Sequence, residues 1–324
     1  MPKAVVCREL GPPESLRLET SASVTLAQGQ VRVAIRAAGI NFPDILMAAG
    51  EYQLKPPLPF TPGVEAAGDV TEVNGVTDVA VGDKVIVKLR HGAYADEMVV
   101  AASQLMRLPS TFDYAEGATF LAAHGTAYHA LIDRGQLVAG EVLLVHGAGG
   151  GVGLAAVEIG KLLGATVIAA ASSEEKLAVA LAKGADHLVL YQREPFRDAV
   201  KRITDGRGAD VVFDPVGGEV FENSMRCIAW GARLLVIGFT GGIGSAKTNL
   251  LLIKGASVLG VRAGESVRKN PALGETRIKA LTEWAEVGKV RPNISHRLPL
   301  EEFARAMRLL IDRKAIGRVA LMMG

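Results

Sequence analysis

Five glycines fall within residues 147–153 of this chain, directly after the apolar run Val142-Leu-Leu-Val145. Helical spacing resumes beyond them, with Ala155, Ala156, Ile159, Leu162 and Leu163 on one side and Glu158 and Lys161 on another. The segment reads as strand, tight turn, helix. Glycine admits backbone conformations closed to other residues and lets a ligand's phosphates approach closely. The helix N-terminus offers unpaired N–H groups and a partial positive charge. The strict G-x-G-x-x-G spacing fails, because Val152 stands where its third glycine belongs; Gly147, Gly150 and Gly153 recur instead at intervals of three. Such a turn by itself is compatible with a mere tight connection. Here the helix stops at Gly164, a second strand follows over 166–171, and a Ser-Ser pair introduces another helix. That is the length of a βαβ module, and the turn reads as the first βα turn of a dinucleotide-binding fold.

Around this module the chain changes character. Residues 3–108 carry short β-branched or alternating runs (3–7, 16–19, 31–37, 64–73, 84–89 and 94–100) punctuated by Gly11-Pro12-Pro13, Gly29, Pro56-Pro57 and Gly82-Asp83. This half reads as all-β, a partly open barrel. From about residue 120 strands and helices alternate. Strands are expected at 142–145, 166–171, 187–190, 210–213, 233–238 and 257–261, with helices at 196–204, 220–228 and 248–253. Six strands make a full doubly wound parallel sheet of the Rossmann kind. Helices at 276–287 and 301–312 and a last strand at 318–322 close the chain. The expected organisation is α/β, with an N-terminal β-barrel domain (1–123), a dinucleotide-binding domain (124–262) and a segment returning to the first domain (263–324).

The end of the second strand selects between dinucleotides. An acid there holds the ribose 2′-hydroxyl of NAD, whereas a 2′-phosphate needs the acid absent and a cation present. The strand ends in Ala169-Ala170-Ala171 and continues Ser172-Ser173-Glu174-Glu175-Lys176. Ser172 or Ser173 can donate to a 2′-phosphate and Lys176 can neutralise it. Ser172 and Glu175 also have capping-box spacing, a structural role that coexists with the first. NADPH is the expected cofactor.

A chain of 324 residues, 49% hydrophobic and 22% charged with a net charge of +2, belongs to the ordinary globular class and exceeds what one core organises. It has no basic run for nucleic acid and no apolar run of membrane-spanning length. Cys7 and Cys227 stand far apart, which implies neither a disulfide framework nor a cysteine zinc site. A reducing cytoplasm is the expected location.

The spaced motifs Gly39-Ile-Asn-Phe-Pro-Asp44, Gly50-Glu-Tyr52, Pro62-Gly-Val-Glu65, Gly82-Asp83, Gly125-Thr-Ala-Tyr128, the turn 146–153, Asp214-Pro-Val-Gly217, Gly238 and Gly317-Arg318-Val319 run the length of the chain. In these the chain resembles the medium-chain dehydrogenase/reductase superfamily, and within it the zinc-independent quinone oxidoreductases of the zeta-crystallin-like branch, a resemblance that implies a GroES-like catalytic domain for the N-terminal barrel. Zinc-dependent relatives carry a Cys and a His where this chain has Asn41 and Val64. Their structural-zinc lobe needs four close cysteines, which the segment after Val87 lacks, so no metal is expected. The resemblance implies hydride transfer from NADPH to an acceptor that spreads charge, such as a quinone or an α,β-unsaturated carbonyl. It nominates Asn41 to hydrogen-bond a substrate oxygen and Tyr52 to orient the substrate or donate to its developing oxyanion. A turn-capping Asn and a half-buried packing Tyr are the structural alternatives. It further implies cofactor contacts at Thr126 (nicotinamide or its phosphate), at the backbone of Gly149, Gly150, Gly151, Val152 and Gly153 (pyrophosphate), and at Tyr191 (near the adenosine end). Gly238, Phe239, Thr240 and Gly241 are expected under the nicotinamide ribose. Arg318 sits at a position usually basic, or is a surface cation. Arg262 stands where many relatives place aromatic residues and is expected to bias the acceptor toward polar or anionic molecules. Two alternatives stay open: reduction of 2-alkenals or enoyl thioesters, and a non-catalytic NADPH-binding or crystallin-type structural protein. A homodimer joined through the nucleotide domains is expected from the resemblance.

Overall fold

The computed structural model describes residues 1–20 and 22–324. It divides into two compact units, Met1–Ala122 with Ala285–Gly324, and Ala123–Trp284.

The second unit is built on a six-stranded sheet in the spatial order His187–Leu190, Thr166–Ala171, Val142–Val145, Ala209–Asp214, Ile228–Val236, Ser257–Gly260. Every pairing is parallel. The order reverses between Val142–Val145 and Ala209–Asp214, the switch point at whose carboxyl end doubly wound sheets bind ligands. All four side chains of Val142–Val145 are buried, as a strand covered on both faces requires. The expected helix at 220–228 is shorter, Gly218–Ser224, and Ile228 already opens the next strand. Met225, Cys227 and Ile228 continue an apolar helical pattern, but the Ala209 N–H bonds the Cys227 carbonyl and draws them into the ladder. The segment 263–284, expected in the return, groups with this unit instead. Its helix Pro271–Glu286 buries Leu281 and also Arg277, whose guanidinium donates to Asp133 at 3.0 Å.

The first unit carries a seven-stranded, mostly antiparallel sheet. Strand Gln30–Gly39 gives one edge to Glu97–Ala101 over residues 30–34 and to the last strand, Arg318–Met322, over residues 37–39. The C-terminus is thereby stitched beside the segment that leads into Asn41. Two strands not expected from the sequence, Leu105–Arg107 and Ile294–Pro299, complete the sheet; the second pairs in parallel with Arg318–Met322. The unit is not purely β, because Phe42–Ala48 forms a short helix in what reads from the sequence as a loop. Pro43 in its first turn fits a helix start, where a missing N–H costs nothing. Among the described residues no helix is long and apolar enough to cross a membrane.

Candidate active site

The glycine turn folds as its composition demands. Gly147 takes φ +57°, and its carbonyl accepts from the Gly150 N–H at 2.9 Å. The helix Gly151–Leu162 then begins with Gly150 as its N-cap and no side chain capping it, which leaves the first-turn N–H groups for a ligand. A Cβ on Gly153 would collide with the Gly147 carbonyl oxygen, and one on Gly149 would lie 2.5 Å from the Lys176 side chain. The three-residue glycine spacing therefore reflects contact as well as conformation.

Lys176 lies across this turn. Its ammonium donates to the Ser172 hydroxyl at 3.2 Å, so the two residues expected at a 2′-phosphate are side by side. The capping role falls to Ser173 rather than Ser172: Ser173 Oγ accepts from the Lys176 N–H at the start of helix Glu174–Ala182. That shift of one residue turns the Ser172 hydroxyl out of the helix cap. Glu174, the nearest acid on this helix start, is exposed and paired with Arg193 at 2.7 Å.

Tyr191 is half-buried, and its phenol oxygen lies 2.9 Å from His146 Nδ1 and 3.3 Å from the Gly147 N–H. Residues 238–242 lie backbone to backbone on the loop 215–218. The Gly241 N–H bonds the Val216 carbonyl at 2.7 Å and Thr240 Oγ1 donates to the Pro215 carbonyl at 3.2 Å, while Phe239 is exposed. Asp214 supports the same loop by accepting from the Val216 and Gly217 N–H groups. Thr126 is half-buried on helix Phe120–Tyr128, and Arg262 is largely exposed ahead of Glu265.

In the first unit a polar cluster is enclosed. Asn41 is 5% exposed and donates to the Gly39 carbonyl (3.2 Å) and to Glu65 Oε1 (3.1 Å). Its own oxygen accepts from Arg318 at 2.9 Å. The expectation that its amide faces a substrate oxygen is not met, since both amide hydrogens are spent within the unit. Arg318, 7% exposed, is an ion-pair partner of Glu65, itself 0% exposed, and not a surface cation. The sequence hides this pair because it joins residues far apart; the register of Arg318–Met322 on Gln30–Gly39 creates it. Glu65 Oε2 accepts from the Ala122 N–H at 2.8 Å. Asp44 accepts from the Asn41 N–H (2.9 Å) and the Tyr94 hydroxyl (2.7 Å), and burial pushes its carboxyl up to about 7. Tyr52 packs partly buried on this core, its N–H bonded to the Leu46 carbonyl of helix Phe42–Ala48. The donor set does not suit zinc: the Glu65 carboxylate is already held by a guanidinium, and among the described residues no three His, Cys, Asp or Glu side chains gather as a metal site.

Residues 27–110 match the family described as alcohol dehydrogenase GroES-like domain, and residues 151–277 the family described as zinc-binding dehydrogenase. A quinone oxidoreductase-like protein 2 homolog of Nematostella vectensis is 38% identical over 98% of this chain and 88% of its own length. The quinone oxidoreductase of Sus scrofa is 30% identical, over 97% of this chain and 96% of that protein. Among solved structures, the quinone oxidoreductase of Pseudomonas syringae pv. Tomato DC3000 gives a TM-score of 0.90 at 30% identity, covering 99% of this chain and 100% of that one. Mycobacterial Rv1454c, complexed with NADPH, gives 0.90 at 28% identity, covering 99% of both chains. The CurK enoyl reductase gives 0.90 at 26% identity, covering 100% of this chain and 99% of that one. Likeness that spans both units at this level means that the chain is an oxidoreductase of the medium-chain dehydrogenase/reductase superfamily, in its quinone oxidoreductase branch.

Proposed function

We propose that the protein is an NADPH-dependent quinone reductase that works without a metal. The observation that carries the cofactor choice is the pairing of Lys176 with Ser172 in front of Gly149, at a strand end without an acid. An ammonium and a hydroxyl there suit a phosphate better than a ribose hydroxyl. Bound to this turn, NADPH supplies a hydride to the acceptor. The N–H groups of Gly151, Val152 and Gly153 would hold the pyrophosphate, Lys176 and Ser172 the 2′-phosphate, and Thr126 with the 238–241 loop the nicotinamide end. Tyr52 would donate its hydroxyl to the acceptor oxygen as charge develops there. Asn41 serves this chemistry as the start of helix Phe42–Ala48, from which the Tyr52 backbone hangs. Glu65 paired with Arg318 supports the metal-free reading.

Purified, EDTA-treated protein should oxidise NADPH faster than NADH with 1,4-benzoquinone or 9,10-phenanthrenequinone. Turnover with a 2-alkenal alone would favour the enone-reductase reading, which the likeness to an enoyl reductase keeps in view. Binding of NADPH with no acceptor consumed would favour a non-catalytic role. The reading includes a homodimer, supported by exposed apolar side chains on the elements next to the edge strand Ser257–Gly260: Trp230 (76% exposed) on its partner strand Ile228–Val236 and Leu252 (81% exposed) on helix Thr248–Lys254. It also includes a reducing compartment, in keeping with the free, buried Cys7 and Cys227.

A further inference from the structure

We propose that Tyr191 is a positioning residue for the dinucleotide turn, holding the Gly147 N–H and anchoring it through His146 and Ser224 to the helix Gly218–Ser224. The proposal rests on the dinucleotide reading above.

The hydrogen bonds run in one direction only. The phenol oxygen of Tyr191 accepts from the Gly147 N–H at 3.3 Å, and its single proton goes to His146 Nδ1 at 2.9 Å. With Nδ1 accepting, the ring proton of a neutral imidazole sits on Nε2, which donates to Ser224 Oγ at 2.8 Å. Ser224 passes its own proton to the Val220 carbonyl at 2.7 Å. A charged imidazole would put a second N–H against the phenol and break this order. Burial holds His146 neutral by pushing its pKa down to about 3. Phe196 fixes the ring plane, edge to face at 4.7 Å.

Gly147 is the point where a fixed backbone matters. Its carbonyl takes the Gly150 N–H, and the backbone of Gly153 lies so close to that oxygen that a Cβ does not fit between them. Any movement of Gly147 therefore displaces the start of helix Gly151–Leu162, whose N–H groups face the pyrophosphate. The phenol proton is spent inward, so Tyr191 acts on the ligand through the turn.

The pyrophosphate is common to NADPH and NADH, and this separates positioning from direct contact with the 2′-phosphate. Dissociation constants of both dinucleotides are measured by fluorescence titration on the full chain, with melting temperatures and steady-state kinetics beside them. Tyr191→Phe should weaken NADPH and NADH by the same factor, about three- to tenfold, the range of one internal hydrogen bond. The dinucleotide KM should rise with kcat and the acceptor KM unchanged. Asn at position 146 keeps an acceptor facing the phenol, so His146→Asn should lose less affinity than His146→Leu. Ser224→Ala, at the far end of the relay, should weaken both dinucleotides in the same way and serves if Tyr191→Phe does not fold. A loss confined to NADPH would overturn the proposal in favour of a direct phosphate contact. A lower melting temperature with unchanged affinities would reduce the relay to packing and also overturn it. If wild-type protein binds neither dinucleotide, the dinucleotide reading fails and takes the relay with it; if wild type binds and the variants bind equally well, the relay alone fails.

Discussion

Replacing Arg318 by Met should leave the Glu65 carboxylate buried without a counter-charge. Both side chains are enclosed, at 8% and 0% exposure, so solvent does not screen the loss. Breaking such a pair by removing one partner costs about 3–5 kcal/mol. Two donors remain on Glu65, the Asn41 amide and the Ala122 N–H, which places the cost near the lower end, about 3 kcal/mol. At about 2 °C per kcal/mol for a chain of this size, the melting temperature should fall by about 6 °C. Scanning calorimetry at pH 7 measures it. The double variant Arg318→Met with Glu65→Gln removes the stranded charge while its amide oxygen still accepts from the Ala122 N–H. It should be more stable than Arg318→Met alone. A double variant no more stable than the single one would refute the reasoning, because uncompensated charge would then not be the cause.

Lys176→Ala should raise the KM for NADPH about three- to tenfold and leave that for NADH unchanged, since the ammonium is partly solvated, donates to the Ser172 hydroxyl, and on the proposed reading would meet the 2′-phosphate that NADH lacks; equal effects on both would count against NADPH selectivity. Gly153→Ala should cost about 1–3 kcal/mol of stability or abolish dinucleotide binding, because its methyl group meets the Gly147 carbonyl; calorimetry and the fluorescence titration read the two effects. Asp44 binds its proton more tightly folded, at about 7, than unfolded, at 3.8, through burial. The folded state thus holds the extra proton between those values, and stability from this group falls as pH rises from about 4 to about 7. Asp44→Asn should flatten that fall relative to wild type in urea titrations across the window; parallel curves would show that Asp44 is ionised throughout.

The nucleotide sheet was legible because its signals are local. Buried parallel strands read as apolar runs, and Gly147, Gly149 and Gly153 are dictated by backbone conformation and contacts within a few residues or across one strand-helix unit. The Ser172 and Lys176 pair was legible for the same reason, one helical turn apart. The capping residue slipped by one, to Ser173, because adjacent serines offer the same hydroxyl and only the entry angle of the chain chooses between them. Helix Phe42–Ala48 was missed since seven residues, one of them proline, give too short a pattern to display a period.

The sequence by itself determined the doubly wound unit, the chemistry of its glycine turn and the basic, acid-free end of its second strand. Only the tertiary structure decided where polar side chains spend their hydrogen bonds. Asn41 reads in the sequence as a substrate contact or a turn cap and Arg318 as a basic site residue or a surface cation, and both are bonded to Glu65 once the last strand pairs beside Gln30–Gly39. Tyr191 reads from the sequence as a residue near the adenosine end, and only the fold brings its phenol to His146 and Gly147. Periodicity and turn chemistry act over a few residues, whereas a buried polar group must find its partner wherever the fold brings one.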